Sequence, residues 1–224
     1  MNDPRIRNLA KVLVRYSIRA RKSETVGVSG DVPAEPLIIA VYEELLRVGA
    51  FPVVRMSPAG LSELFLKYRM PHHFTTLIPY ERAYARCVDA TISIYAQTNT
   101  HALSNTGPRR QVQLLQTRKP THDILMKKSW VLTLFPTEAY AQDADMSLRE
   151  FEDLVYTANF ADEDNPVAAW KALGRKQAGF VARIRGADRI RIVGSGTDLT
   201  FFVKNEYLFE RPAQHARRRN AKRG

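Results

Sequence analysis

The chain has 224 residues, of which 45% are hydrophobic and 25% charged, as is ordinary for a globular protein with an apolar core. It contains no run of about 18 apolar residues and no apolar stretch near its N-terminus, so we expect neither a membrane span nor a secretory signal. The formal net charge of +11 means that an acidic partner such as nucleic acid has to be weighed.

The single cysteine, Cys87, cannot form an internal disulfide, which favours a reducing, cytoplasmic location. It lies in a helical, alanine-rich segment, so we predict that it is a small core residue.

Helices and strands alternate along the first part of the chain. Asp3-Pro4 predicts a helix start, because a capping carboxylate precedes a proline whose missing N–H is not needed there. Gly30-Asp31 is expected to end the first strand, and Gly49 to end the second helix. The elements predicted here are a helix from 3, a strand over 24–28, a helix over 36–48, a strand over 51–56 and a helix over 61–70.

The same alternation continues to residue 135 and predicts right-handed crossovers in a largely parallel sheet with helices on both faces. Trp130 to Phe135 is almost continuously apolar, which is typical of a strand buried on both faces. Pro120 should kink or split the helix that contains it. The predicted elements are a helix over 79–88, a strand over 90–95, a polar loop over 97–107, a helix over 108–126 and a strand over 130–135.

The histidines do not form a pattern that predicts a metal site. His72 and His73 are adjacent in what we expect to be a loop, where neighbouring side chains point to opposite sides. A zinc site needs three or four convergent ligands, so two ordinary loop histidines are the better interpretation. The remaining histidines, His101, His122 and His215, are isolated in the sequence. The loop over 97–107 follows a strand end, where ligands bind in open α/β sheets, but it supports at most a surface contact.

The segment from Leu134 to Asp153 combines a strand end, a Pro-Thr turn and two helix starts. Ser147 and Glu150 form a capping box, in which each side chain satisfies a backbone N–H of the other residue. Asn165-Pro166 predicts the start of the next helix. Gly194-Ser195-Gly196 lacks the third glycine and the following helix of a dinucleotide loop, so we interpret it as a turn between strands over 189–193 and 198–203.

Several of these segments also resemble a known family. The residues are Pro136 to Ala141, Asp145 to Ser147, Glu150 to Asp153, Asn165 to Trp170 and Gly194 to Leu199. In this order and spacing they are similar to the N-terminal domain of the thermophilic-type metallo-aminopeptidases, the family of aminopeptidase T and aminopeptidase S. The resemblance covers the chain from its first helix to about Val203.

The resemblance implies cytoplasmic, dimeric exopeptidases that remove N-terminal amino acids from peptides with two divalent metal ions such as zinc or cobalt. The family's metal ligands lie in a C-terminal domain, after the strand that contains Asp198. No residue of this chain matches one of them, so we name no catalytic, metal-binding or cofactor-binding residue and expect no cofactor in this chain. Its expected partners are peptides in the full-length family, and either a second copy of the chain or a separately encoded catalytic half.

The resemblance ends within a few residues of Lys204. We therefore expect an α/β N-terminal domain over 1–193, the first strand of a truncated catalytic domain over 194–203, and a divergent basic tail over 204–224, expected to be disordered. An early stop or a reading-frame change would explain this pattern, and the chain alone would be inactive. The unpaired strand over 198–203 would then favour pairing with another chain.

The alternative function is that of a basic-tailed nucleic-acid-binding or assembly module, with nucleic acid bound by the tail. Residues 204–224 hold seven Lys or Arg against two Glu, a net charge of +5 out of the +11. Such a segment binds phosphates through counterion release, but a run of charge specifies no sequence or shape. We regard the aminopeptidase interpretation as the stronger one.

Overall fold

The computed structural model describes residues 3–104 and 108–203. The chain divides into two compact units, Met1–Val167 and Ala168–Gly224. The strands are β1 (Thr25–Asp31), β2 (Phe51–Ser57), β3 (Ala90–Tyr95), β4 (Ser129–Leu134), β5 (Arg189–Gly194) and β6 (Thr197–Phe202). The helices are α1 (Pro4–Lys11), α2 (Glu35–Arg47), α3 (Leu61–Tyr68), α4 (Pro71–Thr75), α5 (Pro79–Cys87), α6 (Pro108–Met126), α7 (Glu138–Asp143), α8 (Leu148–Ala158) and α9 (Pro166–Ile184).

The first unit is built on a parallel sheet of four strands in the order β2-β1-β3-β4, flanked by helices. The predicted α/β fold with a largely parallel sheet is therefore confirmed. The chain first moves from β1 outward to β2 and then returns to the other side of β1 for β3. This reversal makes the space between β1 and β3 the topological switch point of the sheet.

One side of the sheet, which we call the aliphatic face, carries the core. Side chains alternate along each strand, and Val26, Val28, Ile92 and Ile94 are fully buried on this side. They pack in one cluster with buried residues of α1, of the π-helical segment Val12–Ser17 that follows it, of α2 and of α8, namely Leu9, Leu13, Leu37, Val41, Leu45 and Tyr156. Burial of each large aliphatic side chain stabilises the fold by about 1.5–3 kcal/mol, so this face supplies most of the unit's stability.

The opposite side, which we call the polar face, carries Gly27, Ser29, Thr91 and Ser93 of β1 and β3, together with Val53 and Arg55 of the edge strand β2. The two glycines of β1 distinguish the sides. A Cβ atom at Gly30 would lie 3.0 Å from Ile38 Cδ1 of α2, whereas one at Gly27 would lie 2.0 Å from the Tyr84 hydroxyl of α5. Helix α5 therefore covers the polar face, and Gly27 allows its tyrosine to approach the sheet.

The predicted helix starts are confirmed at Asp3 and Ser147. Asp3 Oδ1 accepts a hydrogen bond of 2.9 Å from the Arg5 backbone N–H. Burial acts to raise the pKa of Asp3, but the hydrogen bonds from Arg5 outweigh it and hold this pKa below its ordinary value. Ser147 Oγ accepts from the Glu150 N–H at 3.3 Å, and the Glu150 carboxylate accepts from the Ser147 N–H at 3.0 Å.

Two predictions about individual elements are wrong, and a third is narrowed. β1 continues through Asp31, because the glycine at position 30 fits the close packing against α2 and β3. Residues 71–75, expected to be a loop, form the short helix α4, which Pro71 begins. Helix α6 runs from Pro108 to Met126, so of the two outcomes predicted at Pro120, a kink or a split, the split does not occur, because one missing hydrogen bond does not end a helix of this length.

Two predictions about burial are also wrong. β4 lies at the edge of the sheet, and Leu132 is 50% exposed, so the strand is not buried on both sides. An apolar run indicates a strand but does not say where that strand lies in a sheet. Cys87, expected in the core, is exposed at the last residue of α5.

The second unit contains most of α9 and the antiparallel hairpin of β5 and β6. The predicted turn between these strands is confirmed, and Gly196 adopts a φ of 72°, which favours glycine. The Arg191 guanidinium holds the Asp198 carboxylate through two hydrogen bonds of 2.7 and 2.6 Å, and this contact lowers the pKa of Asp198. The basic segment over 204–224 lies outside the described residues, and so do Asn105 and Gly107 of the predicted polar loop.

Candidate functional site

The switch point between β1 and β3 is where an α/β sheet of this order is expected to bind ligands. Asp31 is the last residue of β1, and its Oδ2 atom accepts a hydrogen bond of 2.8 Å from the backbone N–H of Ala96, just after β3. This bond links the carboxyl end of β1 to the residue that follows β3. The carboxylate therefore has a structural role in joining the two strand ends.

The segment that follows β4 and begins α7 places Thr137 and Tyr140 at the same edge of the sheet. Thr137 donates a hydrogen bond of 2.7 Å to the carbonyl of Gln97, and its hydroxyl also caps α7 by accepting from the Tyr140 N–H at 3.4 Å. The Tyr140 hydroxyl accepts in turn from the Gln97 N–H at 3.4 Å. Burial and the nearby charge of Asp31 raise the pKa of Tyr140, whereas the bond from Gln97 lowers it.

The side chains of Asp31, Thr137 and Tyr140 converge on the backbone of Ala96 and Gln97. The threonine and tyrosine hydroxyls and the aspartate oxygen each bind a neighbouring backbone group. A catalytic group needs an atom directed at the substrate, and these contacts instead fix the loop after β3 against the start of α7. Sequence reasoning placed the loop at the sheet edge but did not find its partners on α7, because contacts over about 40 residues leave no local signal.

The histidines lie in two places. His73 accepts a hydrogen bond of 3.0 Å at Nδ1 from the Met70 N–H, and the rings of His72 and His73 have centroids 4.0 Å apart. The prediction that the two side chains point to opposite sides is therefore wrong, because both residues lie in the helix α4 and their rings are neighbours there. His101 lies 3.7 Å from Asp143 at the surface, and His122 lies 3.8 Å from Asp123. His215 is outside the described residues.

The histidine and carboxylate donors that the structure describes do not converge. Across residues 3–104 and 108–203, no three side chains of His, Cys, Asp or Glu come close enough to hold one metal ion. A hydrolytic metal site needs at least three protein ligands and an open position for water, and a two-metal site needs more. The donors in the described part of the chain do not fit such a site.

Among the described residues, no helix is both long enough and apolar enough to cross a bilayer.

Comparison with known proteins shows what this chain is similar to. The family model described as thermophilic metalloprotease (M29) matches residues 2–221. Among solved structures, wild-type AmpT from Thermus thermophilus is similar, with a TM-score of 0.70 and 16% sequence identity over 90% of this chain. The matched region spans 54% of the AmpT chain. No curated protein matches the sequence.

Proposed function

The chain belongs to the thermophilic metalloprotease family M29, and from this premise we propose that it is part of a metallo-aminopeptidase that removes N-terminal amino acids from peptides. The observation that carries the proposal is the family match over residues 2–221. The fold supports it, since the parallel sheet and its flanking helices are similar to those of AmpT.

The proposal includes two divalent metal ions, such as zinc or cobalt. When bound, they would polarise the carbonyl of the peptide bond and activate a water molecule. The described residues do not offer a donor set for them. We therefore assign no ligand role to a residue of this structure, and place the metal-binding residues outside the described part of the chain. The chain then acts with further polypeptide, supplied by a longer gene product, a second copy or a separately encoded catalytic half.

The boundary of the catalytic domain is part of the same proposal. The sequence expectation begins that domain at residue 194, whereas the compact units of the structure meet at Val167 and Ala168. β5 and β6 pair with each other and belong to one unit, which supports assigning both strands to the second domain. A cytoplasmic location is also proposed, because the one cysteine is an exposed, free thiol of the kind that a reducing compartment preserves.

An aminopeptidase assay on the purified chain tests the assignment of the metal site. Leucine p-nitroanilide would be supplied with zinc or cobalt, and with a chelator as the control. We expect no metal-dependent release of nitroaniline by this chain. Turnover that requires the metal and is abolished by the chelator would contradict the proposal.

The coding DNA provides an independent test of truncation. The family match continues to residue 221, so we expect one of the reading frames downstream of the matched residues to encode the missing metal ligands. If no frame encodes them, the reading-frame explanation is wrong, although the family assignment is unaffected.

Binding of nucleic acid is a second candidate, favoured by the net charge of +5 over residues 204–224. It predicts binding to a DNA duplex that weakens steeply with salt and is lost when residues 205–224 are deleted. A gel-shift titration at two salt concentrations measures both effects. Binding that survives the deletion would reject the tail as its cause.

A further inference from the structure

A cavity of about 740 Å³ lies on the polar face of the sheet, between the end of β2 and the helices α3, α5 and α6. Its volume falls within the range of about 300–1,000 Å³ that is typical of small-molecule sites. The cavity lies entirely in the first unit. It also lies next to the carboxyl end of a parallel strand, where ligands of open α/β sheets are found.

Apolar side chains form most of the cavity wall. They come from α3, from α6 and from the chain just before α6, and are Leu61, Phe65, Leu66, Leu103, Leu114 and Leu125. Hydroxyl groups of Ser57, Ser62 and Thr121 also line the cavity. Because apolar side chains are the larger part of the lining, a ligand with an apolar body and few polar groups fits it best.

Two arginines and one carboxylate supply the charge. Arg118 lies 3.6 Å from Glu81, so these two groups largely neutralise each other. Arg55 has no carboxylate within 4.0 Å among residues 3–104 and 108–203. The cavity therefore carries one excess positive charge, and that charge belongs to Arg55.

Aromatic rings hold Arg55 in place. Its guanidinium carbon lies 4.5 Å from the ring centroid of Tyr84 and 5.5 Å from that of Tyr80. The Tyr84 hydroxyl also interacts with an Arg55 N–H group, and because a guanidinium has five N–H donors, others remain for a planar anion. Tyr84 is itself fixed against Gly27 of β1. Burial raises the pKa of Tyr84, and the nearby Arg55 opposes that rise.

We propose that this cavity binds a hydrophobic monocarboxylate, with the carboxylate on Arg55 and the apolar body among the leucines of α3 and α6. The fork of N–H donors matches a carboxylate in charge and geometry, and the apolar walls match an aliphatic or aromatic chain. Two sources share this chemistry, a free fatty acid and the carboxyl end of a hydrophobic amino acid or short peptide. The inference does not rest on the proposed aminopeptidase function.

Calorimetric titration of the full chain tests the proposal with three probes. Octanoate represents the fatty acid, N-acetyl-L-leucine represents a peptide carboxyl end, and octanol is the uncharged control. We expect at least one carboxylate to bind, and octanoate to bind about tenfold or more tightly than octanol if the fatty-acid arm is correct. Preference for N-acetyl-L-leucine assigns the site to peptide ends instead.

Variants identify the contact. Arg55→Met should weaken carboxylate binding about tenfold or more. Arg82→Met, on an exposed arginine of α5 that does not line the cavity, should leave the affinity unchanged. Leu115→Trp places a larger side chain at a lining position that is 70% exposed, so the fold should tolerate it while binding is blocked. Circular dichroism checks that each variant is folded.

Three results would overturn the proposal. They are the absence of binding for both carboxylates, equal affinities of octanoate and octanol without any binding of N-acetyl-L-leucine, and unchanged affinity in folded Arg55→Met. If Arg55→Met does not fold, Leu115→Trp decides the matter, and carboxylate binding that this variant leaves intact would reject the cavity as the site.

Discussion

The two sides of the parallel sheet differ in composition and in what covers them. On the aliphatic face, Val28 and Ile92 are fully buried against α1 and α2. On the polar face the paired positions are Ser29 and Ser93, whose hydroxyl oxygens lie 3.2 Å apart, and a large cavity separates the sheet from α6. One side of this sheet therefore carries the buried aliphatic core, while the other packs against α5 and borders the cavity in which we propose a ligand binds.

The largest expected effect comes from the aliphatic face. Ile92→Ala should lower the free energy of unfolding by about 2–5 kcal/mol, because it removes buried methyl groups and leaves a cavity. Leu132→Ala is the matched control on the neighbouring strand, where the side chain is 50% exposed and the loss should be about 1 kcal/mol or less. Urea denaturation measures both. Equal losses would show that the two faces do not differ as described.

The contact between α5 and the polar face should have an intermediate effect. Gly27→Ala brings a methyl group into the space of the Tyr84 hydroxyl, and overpacking of this kind costs about 1–3 kcal/mol. Adding Tyr84→Phe should recover part of the loss. It removes the hydroxyl oxygen that lies 2.0 Å from the new Cβ atom, and the nearest remaining atom is then the ring carbon Cζ at 2.9 Å. A double-mutant cycle measures the coupling. Strict additivity would contradict the packing described for these residues.

The smallest expected effect lies at the start of α1, which packs on the aliphatic face. Asp3→Ala removes the cap and should cost about 1 kcal/mol, whereas Asp3→Asn keeps a capping oxygen. The folded-state pKa of Asp3 is below 3.8, so its ionised contribution is present above pH 3.8 and is lost as the pH falls through the folded-state value. Wild type and Asp3→Asn should therefore converge in stability at low pH. A difference that does not change with pH would contradict this.

Local signals in the sequence predicted much of the fold. Three helix starts were predicted correctly because a capping group acts on backbone groups within a few residues of itself. The signals were Asp3-Pro4, the pair Ser147 and Glu150, and Asn165-Pro166. The turn at Gly194 to Gly196 was predicted for the same reason. The parallel sheet followed from the alternation of helices and strands.

Long-range contacts explain what the sequence did not predict. The edge position of β4 depends on strand order, and the exposure of Cys87 depends on which side of α5 meets the sheet. The cavity combines Arg55 with Tyr84 and with α6, so no spacing along the chain indicates it. Ser29 and Ser93 each interrupt an apolar strand, which indicates a polar side of the sheet. Only the pairing of β1 with β3 shows that the two serines lie opposite each other.

In the described residues no three His, Cys, Asp or Glu side chains come together to hold a metal ion, and we propose that this chain of the M29 family does not bind the family's metal ions on its own. Titration of the purified chain with cobalt tests this most directly, because cobalt held by protein ligands gives visible absorption bands and equilibrium dialysis gives the number of ions bound. We predict fewer than about one tightly bound ion per chain and no such bands, as expected when three or four convergent ligands are missing. Two cobalt ions bound per chain, with those bands, would contradict the account.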